Sequence, residues 1–302
     1  MSAASANRYT SPIDAALVRR LIAGQFPQWA DLAVRPFASS GIMHAIYRLG
    51  ANMVVRLPIH TDAIGQAQTE LRWLSKMALA LPLTVPIPLV LGNPTEEYPW
   101  PWAVYRWIDG KAAIEGIADK PRTAVKLAQF LSALQRMNTS GGPPSGRGTT
   151  LVERDSFTRT AIESLKNVID TDAAAAVWEN SLQAAPWNAP LVWTHGDLFP
   201  SNMLVDHGEL CAIIDFGDFG LGDPACDMLG AWSLFSSETR GVFRTELEVD
   251  EATWERGRGW AFSISVVALW HYRNTNPQLT AMASNVIDEI IADHNTRSSK
   301  QA

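Results

Sequence analysis

No run of apolar residues in this chain is long enough to span a bilayer: the longest, Trp260 to Trp270, is interrupted by serines and falls well short of the roughly 20 residues that a membrane helix needs. No membrane partner is expected. Cysteine is almost missing. Only Cys211 and Cys226 occur, neither within a Cys-x-x-Cys pair nor beside histidines at zinc-ligand spacing. That excludes a disulfide scaffold and a structural zinc site, and leaves two buried thiols as the expectation. Runs of basic residues are absent as well. With 25 Lys and Arg against 31 Asp and Glu, a formal net charge of −6, the chain lacks the basic surface that neutralising nucleic-acid phosphates requires. There is no Gly-x-Gly-x-x-Gly, no internal repeat, and no low-complexity tract beyond Asn138 to Thr150. The residues Met1 to Pro12 are polar, without the apolar core of a signal peptide, so the expected location is cytoplasmic.

What remains is an ordinary globular composition, 47% hydrophobic and 19% charged over 302 residues, enough for two lobes. The informative residues fall in two short stretches, Trp193 to Asn202 (WTHGDLFPSN) and Ile213 to Asp227 (IIDFGDFGLGDPACD). In the first, Asp197 precedes Asn202 by five positions, the interval that separates base from metal ligand in a kinase catalytic loop. A carboxylate at the first position accepts a hydrogen bond from an acceptor hydroxyl and aims its oxygen at the γ-phosphorus, while an amide oxygen at the second ligates magnesium. Asp215, in Asp215-Phe216-Gly217, supplies the carboxylate that completes the protein's share of the metal ligands. Around these residues Leu191 to Thr194, Met203 to Val205 and Cys211 to Ile214 read as short strands, with Asp206-His207-Gly208 as a turn. Such a hairpin sets Asn202 and Asp215 at neighbouring strand ends. Chance accounts for one tripeptide, but poorly for both in order with the Asn at its interval and a hairpin between them.

These residues resemble those of the aminoglycoside and macrolide phosphotransferase family. Gly196 stands where protein kinases carry Arg, and Asp-Phe-Gly runs directly into Gly222-Asp223-Pro224-Ala225-Cys226-Asp227. The resemblance implies an α+β, bilobal protein-kinase-like fold with a small antiparallel-sheet N-lobe and a larger, mainly helical C-lobe. It implies Mg2+, ATP or GTP as phosphate donor, and a small-molecule hydroxyl as acceptor. By the same resemblance Asp197 is the catalytic base, Asn202 and Asp215 are the metal ligands, and Asp223 and Asp227 brace the catalytic loop. The expected division is 1–107 for a nucleotide-binding lobe and 108–302 for a catalytic and acceptor-binding lobe.

Elsewhere Ile13 to Gln25 reads as a helix with Ser11 as its N-cap, and Leu32 to Phe37, Ala45 to Leu49 and Met53 to Leu57 as strands. The turn Ser39-Ser40-Gly41 is where a kinase-like fold lays a loop over phosphates, with backbone N–H groups of Ser40 and Gly41 facing them; an ordinary hairpin fits the same residues. Arg56 stands where kinases place the strand Lys that grips the phosphates, and Glu70, on a helix Gln66 to Leu81, is its candidate partner. A surface Arg and a solvated helical Glu are the alternative. Pro82 to Pro94 reads as extended and Trp102 to Trp107 as a strand, beyond which backbone groups of Trp107 and Ile108 would meet the nucleotide base.

In the second lobe Thr123 to Met137 is the central helix, and Asn138 to Thr150, with its Gly-Gly and Pro-Pro steps, reads as a mobile surface loop. Further helices are expected over 157–169, 173–184, 227–235, 252–268 and 285–294. The last of them carry Asp250, Glu251, Glu255, Asp288, Glu289 and Asp293 beside Trp232, Trp254, Trp260, Trp270 and Tyr272. Carboxylates suit a polycationic sugar and an aromatic wall suits a macrolide, yet solvated helix faces and core tryptophans explain both sets, so they select no substrate. Asp227 follows Asp215 by only twelve residues, which leaves no room for an activation segment and disfavours a protein kinase. A kinase of a metabolic alcohol (homoserine, choline or sugar type) and an inactive nucleotide-binding pseudokinase stay open as alternatives.

Overall fold

The computed structural model describes residues 9, 11–38, 43–115 and 120–301. By its contacts the chain divides into two compact units, one of Met1–Leu79 with Thr84–Asp109 and one of Ala80–Leu83 with Gly110–Ala302. Ser40 and Gly41, the candidate phosphate-loop residues, lie outside the described residues.

The first unit opens with helix α1 (Ala15–Gln25). Its N-cap is Asp14 and not Ser11: the Asp14 carboxylate accepts from the Leu17 N–H at 2.7 Å. Three strands follow, β1 (Val34–Pro36), β2 (His44–Leu49) and β3 (Met53–Pro58), then helix α2 (Gln66–Met77) and strands β4 (Pro88–Gly92) and β5 (Trp102–Arg106). They form a five-stranded sheet in the order β1-β2-β3-β5-β4, antiparallel throughout. The two-residue period of the strands sends Val55 and Leu57 into a core shared with Tyr47, Leu49, Val104 and the α1 residues Leu17, Val18, Leu21 and Ile22. Arg56, between them, points to the opposite face. Helix α2 stops before Leu81 because Pro82 disfavours helical geometry at the residue preceding it. Strand β4, hidden in the sequence by its prolines, is an edge strand that begins on Pro88, where a missing N–H does least harm.

The second unit is mainly helical. In chain order it contains β6 (Lys111–Ala112), α3 (Lys120–Gln135), α4 (Asp155–Ser164), α5 (Thr171–Leu182), β7 (Val192–Thr194), β8 (Met203–Asp206), β9 (Glu209–Ile213), β10 (Gly220–Gly222), α6 (Leu229–Leu234), α7 (Ser237–Glu246), α8 (Glu251–Tyr272) and α9 (Pro277–Gln301). Helix α3 buries Leu127, Ala128, Leu131 and Leu134 along one face. Helix α8 is buried on nearly every side, against α4, α5, α6 and α9. The β8–β9 hairpin closes through His207 and Gly208, both left-handed at φ +47° and +80°, as a two-residue hairpin turn requires. Strand β10, too short to stand out in the sequence, pairs antiparallel with β7 and places Gly220 opposite Thr194.

The Gly- and Pro-rich segment 138–150 is no free surface loop. It lies along β10: the Ser145 N–H donates to the Leu221 carbonyl (3.0 Å), Leu221 N–H to the Pro143 carbonyl (2.8 Å), Gly146 N–H to the Asp218 carbonyl (3.0 Å) and Asp223 N–H to the Gly148 carbonyl (2.8 Å). Its composition breaks helix and strand periodicity without preventing close packing. A Cβ at Gly220 would stand 2.5 Å from the Pro144 carbonyl carbon and from the Ser145 nitrogen, so only glycine lets the two chains touch.

Gly220→Ala should therefore lower stability by about 1–3 kcal/mol, as overpacking against backbone does. Gly241→Ala, inside α7 with nothing within 4 Å of the added carbon, should instead raise it by about 0.5–1 kcal/mol. Denaturant midpoints of the two variants should move in opposite directions; a shared direction would contradict the packing described.

Candidate active site

Strand β7 delivers the chain to His195, where the catalytic loop begins. The Asp227 carboxylate, fully buried, accepts from the His195 N–H at 3.0 Å and from the Gly196 N–H at 2.7 Å. The buried His195 ring donates from Nε2 to the Ile214 carbonyl (3.0 Å) and accepts at Nδ1 from the Asp197 N–H (3.1 Å), which assigns a neutral tautomer. Burial holds its pKa below the ordinary histidine value, against the pull of Asp197. Gly196 adopts φ +84°, and a Cβ there would lie 2.8 Å from Cβ of Asp218. Both the conformation and the space demand glycine.

The three sequence-predicted residues meet at one place. Asn202 donates from Nδ2 to the Asp197 carbonyl (2.9 Å) and to its Oδ2 (3.0 Å), and the Ile214 N–H donates to the Asn202 carbonyl at 2.8 Å. The Met203–Ile213 pairing of the β8–β9 hairpin thus leaves Asn202 and Asp215 just beyond adjacent strand ends. Asp215 takes a left-handed φ of +64°, a conformation Asp tolerates better than most residues. With Nδ2 engaged, the remaining polar atom of the Asn202 amide is its oxygen. One amide oxygen and one carboxylate are hard donors of the kind that magnesium takes from a protein when phosphate and water supply the rest.

Two further residues, absent from the sequence-based expectation, join them. Arg147 donates from Nη1 to Oδ1 of Asp197 and, at 2.9 Å, to the Gly196 carbonyl, and its Nε stands 3.3 Å from Oδ2 of Asp218. Burial lowers the Arg147 pKa, but Asp197 and Asp218 outweigh it, so the guanidinium is held charged. Burial pushes the Asp218 carboxyl up; Arg147 pulls it back and Asp197 and Asp215 push it up again. The signal available in the sequence was that Arg147 is the one charged residue between Asn138 and Thr150. Asp223 caps the turn before α6 through the Ala225 N–H (3.0 Å) and takes Arg256 at 2.6 and 3.2 Å.

In the first unit, Arg56 Nη1 lies 3.3 Å from Oε1 of Glu70, which is fully buried and accepts from the Tyr105 hydroxyl at 2.5 Å. Arg56 Nη2 reaches Nδ1 of His44 at 3.4 Å. Burial first, and the Arg56 charge second, hold the His44 pKa well below its ordinary value. Trp107 donates its backbone N–H to the Asn52 carbonyl (2.8 Å) and its indole N–H to Asp109 (2.9 Å), with the Arg48 guanidinium 3.8 Å over the ring. Its N–H is therefore engaged by Asn52, and Ile108 and Asp109 complete the first unit.

A carboxylate clamped to an amide beside an Asp-Phe-Gly carboxylate, in a mainly helical unit that follows an antiparallel-sheet unit along the chain, is the arrangement of a kinase-like phosphotransferase. Residues 33–260 match the phosphotransferase enzyme family, and the chain belongs to it. It is 28% identical over 218 residues to an aminoglycoside 3'-phosphotransferase of Streptomyces fradiae, covering 68% of this chain and 73% of that one. An aminoglycoside 3'-phosphotransferase of Salmonella typhimurium is 26% identical over 140 residues, 44% of this chain and 52% of the relative. Among solved structures, the GDP complex of wild-type aminoglycoside 2'-phosphotransferase-IIIa superposes with a TM-score of 0.73 at 18% identity, over 93% of this chain and 100% of the other. Macrolide 2'-phosphotransferase type I gives 0.64 at 17% identity, over 92% and 98%. The fold is thus the α+β kinase-like one that the sequence implied.

Asp227→Asn should leave one of two buried N–H groups facing an amide NH2, which costs about 1–3 kcal/mol and loosens the catalytic loop. Thermal unfolding should show it, and an unchanged midpoint would remove Asp227 as the brace. His44, neutral when folded, favours the unfolded chain once that chain protonates. Its contribution is complete above about pH 6.5 and is lost as pH falls below that. Between pH 7.5 and 5.5 the denaturant midpoint of His44→Gln should fall less steeply than that of the wild type, and equal slopes would exclude His44 as a source.

Proposed function

We propose that the chain is a small-molecule O-phosphotransferase of the cytoplasm that uses magnesium to move the γ-phosphate of ATP or GTP to a hydroxyl of an antibiotic-like acceptor, of aminoglycoside or macrolide type. The observation that carries this reading is the Asn202 amide bound to Asp197 at 3.0 Å, with Asp215 at the neighbouring strand end. The names of the relatives support the acceptor class, and solved neighbours that include a GDP complex and a streptomycin–ATP ternary complex support a nucleotide donor. Among the described residues no helix is long and apolar enough to cross a membrane. In this reading residues 1–107 hold the nucleotide, with Arg56, oriented by Glu70, on its phosphates, and residues 108–302 carry the chemistry and the acceptor.

The acceptor hydroxyl donates to Asp197, whose carboxylate is oriented from both sides, by Asn202 on Oδ2 and Arg147 on Oδ1. Its oxygen then faces the γ-phosphorus for in-line displacement, and Asp197 takes the proton late, since little bond-making precedes bond-breaking in this reaction class. Asn202 and Asp215 would hold magnesium, which would supply positive charge against the phosphates of the donor. The pairing of the β8–β9 hairpin would keep the two ligands in register.

A second reading, a kinase of an uncharged metabolic alcohol, is favoured by one observation. Four of the carboxylates on α8 and α9 that would attract a polycation are already matched: Glu251 by Arg244 and Arg297, Glu255 and Asp293 by Arg258 and Arg297, and Glu289 by Arg240. Coupled-assay turnover with ATP and with GTP across aminoglycosides, macrolides and small alcohols separates the two. Asp197→Ala should reduce kcat by about 100-fold or more with nucleotide affinity nearly intact, whereas Asp215→Ala should weaken the metal–nucleotide complex itself. Retention of more than about a tenth of kcat by Asp197→Ala would remove its role as base.

A further inference from the structure

We propose that Arg147 is a catalytic residue, the cation that this chain supplies in cis to the phosphoryl group in transit. The inference rests on the phosphotransferase reading above and adds a group that the catalytic-loop motif lacks. Between Asp197 and Asn202 the loop carries Leu198, Phe199, Pro200 and Ser201, none of them charged. The positive charge at Asp197 comes instead from fifty residues upstream, on a segment pinned to β10 by backbone bonds and by the Ser145 hydroxyl, which donates to the Asp218 carbonyl at 2.8 Å.

The hydrogen-bonding state of the guanidinium points the same way. Nη1 serves Asp197 and the Gly196 carbonyl, and Nε faces Asp218. Among the described residues Nη2 has no partner, and it is not enclosed, since the side chain keeps 25% of its exposure. Arginine presents donors as a planar fork, so two edges fixed on protein aim the third in one direction. An acceptor oxygen bonded to Asp197 lies about 3 Å from that carboxylate, and the phosphorus it attacks lies about 3–3.5 Å further. A guanidinium already touching Asp197 is therefore within reach of an equatorial oxygen of the migrating group. A merely structural ion pair would be expected to engage all of its edges within the protein; this one leaves two donors where negative charge develops.

The bond from the γ-phosphorus to the bridging oxygen breaks, its electron pair staying on the β-phosphate, as the bond from phosphorus to the acceptor oxygen forms. The hydroxyl proton passes to Asp197. Arg147 remains protonated throughout and contributes hydrogen bonds and charge only.

The test needs no acceptor, because water takes its place in slow hydrolysis of ATP with magnesium. Arg147→Ala should reduce that hydrolysis by about 100-fold or more, the scale of a lost transition-state donor, while ADP affinity stays within about twofold. Fluoroaluminate, a planar mimic of the phosphoryl in transit, should raise the melting temperature of the wild-type magnesium–ADP complex and leave that of Arg147→Ala unmoved, with Arg147→Lys recovering part of both effects. Hydrolysis within about threefold of wild type, a retained fluoroaluminate shift, or ADP affinity lost in parallel with hydrolysis would each reduce Arg147 to a brace and overturn the proposal. A wild type that neither binds ADP nor hydrolyses ATP would overturn the phosphotransferase reading together with this one; an active wild type matched by Arg147→Ala overturns this one alone.

Discussion

The catalytic loop is suspended from a single buried carboxylate. Asp227 receives the amides of His195 and Gly196, and burial raises its pKa to about 7 against the opposing effect of those two N–H groups. An interior carboxylate is tolerable only with such partners, and the partners in turn are fixed only while it is there. From this anchor the geometry propagates residue by residue. His195, oriented by its bond to Ile214, sets the Asp197 amide, Gly196 turns the chain through a left-handed conformation, and Asn202 closes the loop back on Asp197. The placement of Asp197, Asn202 and Asp215 relative to one another is thus a property largely of backbone bonds.

Crowding of like charge is the second constraint. Asp197, Asp215 and Asp218 share one neighbourhood, and Arg147 is the counter-charge in direct contact with two of them, with Arg154 acting on Asp218 from further off. A guanidinium suits this position better than an ammonium would, because its fork engages two carboxylates and a carbonyl at fixed angles. The glycines at 196 and 220 belong to the same device: each removes a side chain where the segment 215–221 meets a neighbour, Gly196 facing Asp218 and Gly220 facing Pro144 and Ser145.

The far end of the second unit obeys a different rule. Helix α8 buries Trp254 and Trp260, and α6 buries Trp232, with Arg240 and Arg258 stacked near the Trp232 ring at 4.4 and 5.8 Å. Glu251, Glu255, Glu289 and Asp293 of α8 and α9 close ion pairs with these and neighbouring arginines. Residue types that read as an acceptor pocket are here tied up largely in holding helices together, which is why composition there selects no substrate.

Short-range relations were legible in the sequence. The five-residue interval from Asp197 to Asn202, the hairpin turn at His207-Gly208 and the run into Asp227 are held by covalent connection and local turn preference, so they carry the chemistry and its fold class without tertiary help. The Val55-Arg56-Leu57 alternation likewise sends Arg56 to the face where Glu70 waits. Other features depended on contacts that no local pattern encodes. Asn138 to Thr150 has the composition of a free loop, yet β10 gives its amides partners, and β10 itself, three residues long, exists only because β7 lies beside it. The amide of Trp107 was drawn into the sheet by Asn52. By itself the sequence determined which donor and acceptor atoms are available and their order. Only the tertiary structure decided that Arg147 would stand on Asp197, because pairing across fifty residues is set by packing and backbone hydrogen bonds, not by spacing along the chain.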